Sequence, residues 1–210
     1  MANTGMSVAV LTGGQSRRMG ADKALVVTQG RPLVEHVVTV VSALTDDVFL
    51  VGDRPAYHQF GYRVVPDEYP GGGALGGIAT ALRAACHDRV LVVACDMPSL
   101  CSELLEAMAA IDADVDVIIP RTSGARQGQP AHETYETLHA IYRRSCLPTL
   151  EQRLAAGQLK IADILQDLRV CALDEPWLRR HDRHLASFVN VNSPSDLDRV
   201  HSTEQELMGW

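Results

Sequence analysis

The segment VAVLTGGQSRRMGADKALV, residues 8–26, joins a short apolar run to a loop rich in glycine and cationic side chains. The run at 8–11 is β-rich and carries no charge, which predicts a buried strand. Gly13 and Gly14 follow it after Thr12, and glycine lets the backbone turn sharply and lets a ligand approach the main chain. We therefore expect a strand that ends at a binding loop.

Three cationic side chains, Arg17, Arg18 and Lys23, surround the same turn. Successive backbone N–H groups at Gly13 and Gly14 would form an anion-binding concavity. Together these features suit a nucleoside triphosphate. A flexible glycine turn with solvated basic residues is an equally good interpretation of this loop taken alone.

Two familiar phosphate-binding motifs do not apply to this chain. A P-loop requires lysine directly after its second glycine, whereas Ala21 and Asp22 separate Gly20 from Lys23. Residues 71–76 spell G-x-G-x-x-G, but residues 67–70 separate those glycines from the preceding apolar run. A dinucleotide fingerprint needs strand, turn and helix without interruption, so a dehydrogenase is disfavoured.

The remaining apolar runs alternate with segments of helical periodicity. Strands are predicted at residues 8–11, 48–51, 62–65, 90–94, 115–119, 170–173 and 188–191. Helices are predicted at 32–44, 77–85, 103–111 and 147–156, the last ending at Gly157, and another begins at 193. This alternation predicts an α/β domain with a mainly parallel sheet, whose ligands bind beyond the carboxyl ends of its strands.

Composition predicts one domain, residues 1–210, with 46% hydrophobic and 21% charged residues. The net charge of −7 argues against a sequence-blind nucleic-acid partner. Five cysteines without a C-x-x-C pair argue against a disulfide framework or zinc site and favour a reducing compartment. No signal peptide and no membrane-length apolar run is evident. We expect a soluble cytoplasmic protein that binds neither membrane nor nucleic acid.

Two carboxylates follow predicted strands. Asp96 ends the run that begins at Val90, where a side chain projects into the ligand crevice. Carboxylate oxygens suit Mg²⁺, which combines one or two of them with substrate phosphates, so Asp96 is predicted to bind magnesium rather than to cap the next helix. Asp67 precedes a second glycine-rich stretch and suits a nucleoside hydroxyl or base. Taken alone, Asp67 is better interpreted as a turn residue.

Asn190 and Asn192 lie at alternate positions of the last predicted strand, which would place them on one face of the sheet. Paired amides offer donors and acceptors to a polar ring or phosphate, although turn-forming asparagine is the simpler interpretation. The preceding stretch, residues 174–187, is expected to be a solvated loop.

In combination, these segments resemble the molybdenum cofactor guanylyltransferase family, and the resemblance covers nearly the whole chain. Residues 11–23 are similar to its L-A-G-G-x-S-x-R-M-G-x-D-K motif. Four further segments follow in the family's order: DEYPGGGALGGI (67–78), VACDMPSL (93–100), LHAIYRRSCLP (138–148) and NVNSPSDL (190–197).

The resemblance implies a Rossmann-like, GT-A-type fold in three layers with a mostly parallel central sheet. It implies a nucleotide-binding part at about 6–110 and a pterin-side part at about 111–202. The implied reaction transfers GMP from GTP to molybdenum-bound molybdopterin, with Mg²⁺ present, and releases pyrophosphate. Transient contacts with other cofactor-biosynthesis proteins or apoenzymes are also implied.

The resemblance also implies roles for individual residues. Lys23 would contact the phosphates and act with Asp96, the magnesium ligand, in catalysis. The other implied contacts are those of the loop backbone at Leu11, Thr12, Gly13 and Gly14, of Asp67 with the nucleoside, and of Asn190 and Asn192 with the pterin.

Three positions depart from the family pattern. Thr12 replaces the alanine of L-A-G-G, and Ala74 replaces the proline of G-P-L-G-G. Val51 stands where some members have an asparagine associated with guanine recognition, and valine can neither donate nor accept a hydrogen bond. CMP transfer from CTP therefore remains an alternative. A sugar-phosphate nucleotidyltransferase and a non-catalytic nucleotide- or cofactor-binding protein are the others.

Overall fold

The computed structural model describes residues 5–13, 22–124 and 132–191. Ten strands lie in these ranges: β1 (Met6–Leu11), β2 (Val27–Thr28), β3 (Arg31–Pro32), β4 (Val48–Val51), β5 (Arg63–Val65), β6 (Arg89–Ala94), β7 (Val117–Gly124), β8 (His132–Tyr135), β9 (His139–Arg143) and β10 (Val170–Leu173). Six α-helices accompany them: α1 (Leu33–Val41), α2 (Gly73–Ala84), α3 (Ser102–Ala109), α4 (Leu147–Ala155), α5 (Ile161–Ile164) and α6 (Glu175–Leu178).

Seven strands form the central sheet in the order β10-β7-β9-β6-β1-β4-β5, and β8 pairs with β7. The neighbours β6, β1, β4 and β5 all run parallel, as do β7 and β10. Strand β9 runs antiparallel to both β6 and β7. The predicted α/β fold with a mostly parallel sheet is therefore confirmed, with antiparallel strands added on one side.

Alternate residues of the central strands face two apolar clusters. Val8 and Val10 pack on one face of the sheet with the buried side chains of α1 and α3. Ala9 and Leu11 pack on the other face with those of α2 and α4. Because both faces are covered, the central strands are apolar at consecutive positions, and the three predicted layers are present. Within the described ranges, no helix has the length and apolar character that a membrane span requires.

Helix α2 begins at Gly73, four residues before the predicted start at Gly77. Gly76 and Gly77 therefore lie inside the helix, where a side chain would meet its neighbours. A Cβ at Gly77 would lie 2.9 Å from Leu11 Cδ1. These glycines bring α2 against the end of β1, which explains why the helix contains residues that normally disfavour helices.

The predicted strand at 188–191 is wrong. Leu185 has a φ of +53°, Ala186–Phe188 forms a 3-10 turn, and the following residues are irregular. Val191 is buried although it belongs to no strand, and it packs against Leu33 and Val26. This burial accounts for the apolar residue at that position. Strands β2, β3, β8 and β9 were not predicted from the sequence. The helix predicted from residue 193 lies outside the described residues.

His139 opens β9, and burial disfavours its protonation. The imidazole is fully buried, its centroid lies 4.9 Å from that of Phe188, and neither nitrogen has a hydrogen-bond partner in the described part of the chain. This burial lowers the pKa of His139 to about 4, although Asp182 acts in the opposite direction.

We expect the free energy of unfolding to decrease as pH falls from about 6.5 to about 4. Over that range the unfolded chain binds a proton at residue 139 that the folded chain excludes, which amounts to at most about 3 kcal/mol. Denaturant unfolding at pH 7 and pH 4.5, compared between wild type and His139→Leu, measures this contribution. An unchanged pH dependence in the variant would contradict the assignment.

Candidate active site

The carboxyl ends of four neighbouring parallel strands meet at one edge of the sheet. Hydrogen bonds of the main chain join the residues that leave them. The N–H of Thr12 donates to the carbonyl of Val51 over 3.0 Å, and that of Gly52 to Val65 over 2.9 Å. The N–H of Cys95 donates to Leu11 over 3.1 Å. The loops after β1, β4, β5 and β6 are thus held side by side.

Lys23 and Asp96 form an ion pair at this edge. Lys23 Nζ lies 2.5 Å from Asp96 Oδ2, although the residues are 73 positions apart in sequence. Their side chains are 15% and 19% exposed, so water still reaches the pair. The structure therefore brings together the two residues that sequence analysis placed in catalysis.

The turn that carries Lys23 is organised by Asp22. Asp22 Oδ1 accepts a hydrogen bond of 3.1 Å from Ala24 N and caps the 3-10 segment Lys23–Leu25. Asp22 Oδ2 accepts a second hydrogen bond of 2.8 Å from the hydroxyl of Tyr57 and lies 3.0 Å from Arg54 Nε. Both carboxylate oxygens of Asp22 are therefore used in holding the turn.

Tyr57 is 2% exposed and was not singled out by sequence analysis. Its hydroxyl also lies 3.3 Å from the carbonyl oxygen of Thr12. Burial raises the pKa of Tyr57, so the phenol remains protonated and acts as a hydrogen-bond donor. The residue belongs to the 3-10 segment Pro55–Phe60 after β4, a stretch without a recognisable motif.

Gly52 provides the space in which Thr12 and Tyr57 meet. A Cβ at Gly52 would lie 2.3 Å from Thr12 Oγ1 and 2.8 Å from Tyr57 Cε2. We expect Gly52→Ala to lower the free energy of unfolding by about 1–3 kcal/mol, because neither neighbour can move without breaking a buried contact. Chemical denaturation measures the loss. Adding Thr12→Ala should restore part of it by removing the nearer atom, whereas an additive further loss would contradict this packing.

Thr12 and Val51 use their side chains within the fold. The hydroxyl of Thr12 donates to the carbonyl of Val51 over 2.8 Å. Val51 is 3% exposed and packs with Leu11 in the cluster beneath α2. Both side chains, together with the N–H of Thr12 and the carbonyl of Val51, are therefore used within the fold, and contact of Thr12 with a nucleotide stays a prediction. Gly13 is exposed, and an added Cβ there would meet nothing within 4 Å among the described residues.

Asp67 closes the turn between β5 and α2. Its Oδ1 accepts hydrogen bonds of 2.9 Å from Tyr69 N and 3.2 Å from the hydroxyl of Thr80. Gly76 packs against this turn, since a Cβ there would lie 2.9 Å from the carbonyl oxygen of Tyr69. Asp67 therefore makes turn contacts at the same sheet edge, and its contact with a nucleoside stays a prediction.

The segment before Asn190 is docked on the loop that follows Asp96. Ser187 is fully buried, and its hydroxyl oxygen accepts a hydrogen bond of 2.9 Å from Cys101 N. The N–H of Val191 donates to the carbonyl of Asp96 over 2.9 Å. The expectation of a solvated loop at 174–187 is therefore wrong: residues 175–178 form α6 with Leu178 buried, and Ser187 contacts the segment between β6 and α3.

Asn190 is exposed and immediately precedes Val191, so the structure brings it to the edge that holds Asp96. It lies in an irregular segment rather than on a strand, which corrects the predicted face shared with Asn192. Asn192, Gly14, Arg17 and Arg18 lie outside the described residues.

The neighbouring thiol of Cys95 is not a candidate nucleophile. The side chain is buried, and burial together with the adjacent charge of Asp96 raises its pKa. A protonated thiol is a poor nucleophile. Cys95 is therefore not a candidate for a covalent intermediate at this edge.

Comparison with known proteins agrees with this architecture. The family model described as MobA-like NTP transferase domain matches residues 8–176. A crystal structure of molybdopterin-guanine dinucleotide biosynthesis protein A from Archaeoglobus fulgidus superimposes with a TM-score of 0.80 at 31% identity, covering 96% of this chain and 100% of that one. The fold and the family match define an enzyme of the nucleotidyltransferase class.

Two relatives match most of the chain. A probable molybdenum cofactor guanylyltransferase of Natranaerobius thermophilus is 33% identical, covering 93% of this chain and 94% of the relative. One of the same description from Pelotomaculum thermopropionicum is 37% identical, covering 90% and 88%. The chain belongs to the molybdenum cofactor guanylyltransferase family.

Proposed function

We propose that this chain transfers GMP from GTP to molybdenum-bound molybdopterin and releases pyrophosphate. The observation that carries the proposal is the pairing of Lys23 with Asp96 at the carboxyl edge of the parallel strands, 2.5 Å apart. An ammonium and a carboxylate at that edge supply one group for phosphates and one for a divalent cation. The identity of the substrates is inferred from the activity for which the related proteins are named.

In the proposed reaction an oxygen of the pterin's terminal phosphate attacks the α-phosphorus of GTP. The new P–O bond joins the two phosphates, the bond from the α-phosphorus to the bridging β-oxygen breaks, and pyrophosphate leaves with that electron pair. Lys23 balances negative charge on the phosphate chain as this happens. Phosphoryl transfer of this kind depends chiefly on alignment of the reacting groups and on stabilisation of their charge. The adjacent loops after β1 and β6, which carry Lys23 and Asp96, suit both requirements.

Asp96 is proposed as the magnesium ligand. Among residues 5–13, 22–124 and 132–191 there is no cluster of three or more His, Cys, Asp or Glu side chains that could hold a metal ion. A single carboxylate nevertheless fits Mg²⁺, which completes its octahedral shell with substrate phosphates and water. When bound, Mg²⁺ would neutralise charge on the phosphates. In the structure that carboxylate contacts the ammonium of Lys23 through Oδ2.

The acceptor is proposed to bind on the side of β9 and the segment ending at Val191. Asn190 is exposed there, one residue from the hydrogen bond to the carbonyl of Asp96. This agrees with a nucleotide-binding part at about 6–110 and a pterin-side part at about 111–202. Delivery of the finished cofactor to apoenzymes or other biosynthesis proteins would need transient contacts with them.

The test is a reaction of the purified protein with Mg²⁺, molybdenum-bound molybdopterin and either GTP or CTP. We expect pyrophosphate release and a guanine dinucleotide product, identified by mass spectrometry, with GTP preferred. Preference for CTP would instead define a cytidylyltransferase. Nucleotide binding without pyrophosphate release would define a non-catalytic binding protein, and turnover with a sugar 1-phosphate alone would define a different nucleotidyltransferase.

A further inference from the structure

Tyr57 contacts both residues that flank the segment 13–21. Its hydroxyl lies 3.3 Å from the carbonyl oxygen of Thr12 and 2.8 Å from Asp22 Oδ2. The partners are 45 and 35 positions away in sequence, so neither contact is local. One buried side chain therefore joins the end of β1 to the start of the turn that carries Lys23.

We infer that Tyr57 is a positioning residue that acts through Asp22 to place Lys23 for the triphosphate. The inference rests on the proposed function, because it assigns to Lys23 the role of contacting phosphates. It gives a role in the site to a buried side chain of the loop after β4.

Asp22 links the hydroxyl of Tyr57 to the turn that carries Lys23. One of its oxygens caps the turn at Ala24 N, and the other accepts from Tyr57, so rotation of the carboxylate would disturb both contacts. Lys23 is the first residue of that turn. A shift of Asp22 would therefore move the ammonium relative to Asp96.

Tyr57 is better suited to this role than the other partner of Asp22. Arg54 has a side chain that is 62% exposed, and exposed ion pairs contribute little to holding a geometry. Tyr57 is 2% exposed and is packed against Gly52, where no side chain intervenes. Its aromatic ring therefore fixes the hydroxyl in one place.

The test compares Tyr57→Phe with wild type for binding of GTP and of guanosine, each with Mg²⁺, by titration calorimetry. We expect the Kd for GTP to rise about tenfold, the scale of one hydrogen bond to a charged group, while the Kd for guanosine changes less than about twofold. In a Lys23→Ala background, Tyr57→Phe should cause no further loss of GTP affinity, because its effect passes through the lysine.

Tyr142→Phe is the matched control. Tyr142 is 1% exposed, and its hydroxyl donates to the carbonyl of Thr137 over 2.8 Å, so the variant removes an equivalent buried donor. We expect it to lower the unfolding midpoint without changing either Kd. Unchanged GTP affinity in Tyr57→Phe, or equal weakening of GTP and guanosine, would overturn the inference. Wild-type GTP affinity in Lys23→Ala would instead overturn the phosphate role of Lys23.

Discussion

Replacing Lys23 by alanine is expected to lower kcat for GMP transfer about a hundredfold or more. In the proposed reaction the ammonium balances the charge of the phosphate chain as pyrophosphate leaves, and removal of one preorganised charge-stabilising group has effects on this scale. Pyrophosphate release at saturating GTP and pterin, measured alongside the unfolding midpoint, separates loss of chemistry from loss of fold. The side chain lies 15% exposed against Asp96, so its truncation leaves a carboxylate that water can reach.

Lys160→Ala is the matched control, because Lys160 is the other lysine of this chain. Its side chain is 75% exposed and pairs with Asp163 on the surface. We expect kcat to stay within about twofold of wild type, as for a surface substitution away from the site. Normal turnover in folded Lys23→Ala would remove Lys23 from catalysis.

Replacing Asp96 by asparagine is expected to reduce turnover on the order of a hundredfold or more and to abolish the advantage that Mg²⁺ gives to GTP binding. The amide keeps the size of the side chain but removes the negative charge that a hard cation requires. GTP titrations in Mg²⁺ and in EDTA measure that advantage directly. In wild type the two affinities should differ clearly, and in Asp96→Asn they should be nearly equal.

Asp163→Asn removes a carboxylate of the same kind from the surface, where the side chain is 54% exposed. It should retain both turnover and the dependence on Mg²⁺. A strong magnesium dependence that persisted in Asp96→Asn would show that the metal ion is held elsewhere.

The central sheet was predictable because its strands are buried on both faces. Val8–Leu11, Val48–Val51 and Val90–Ala94 are apolar at every position, a pattern that a strand between two helical layers requires. Strand β9 carries a weaker signal, since HAIYR mixes polar with apolar residues. Its place between β6 and β7 depends on pairing with residues far away in sequence, which local patterns do not specify.

The pairing of Lys23 with Asp96 could be anticipated from topology alone. Neighbouring parallel strands end at the same edge of the sheet, so the loops after β1 and β6 had to converge. The contacts of Tyr57 could not be anticipated in this way, because Tyr57 comes close to Thr12 and Asp22 only when β1 and β4 are paired. The packing of Val51 and the hydrogen bond of the Thr12 hydroxyl could not be predicted from the sequence for the same reason.

Asp96 is oriented toward both proposed substrates through different atoms. Its side chain contacts Lys23 on the side proposed for the nucleotide, and its carbonyl accepts from Val191 on the side that carries Asn190. In the proposed reaction, the donor and the acceptor would therefore be aligned by two different atoms of a single residue. In that arrangement, a displacement of the Asp96 peptide would change the distance between attacking and receiving atoms even if each substrate remained bound.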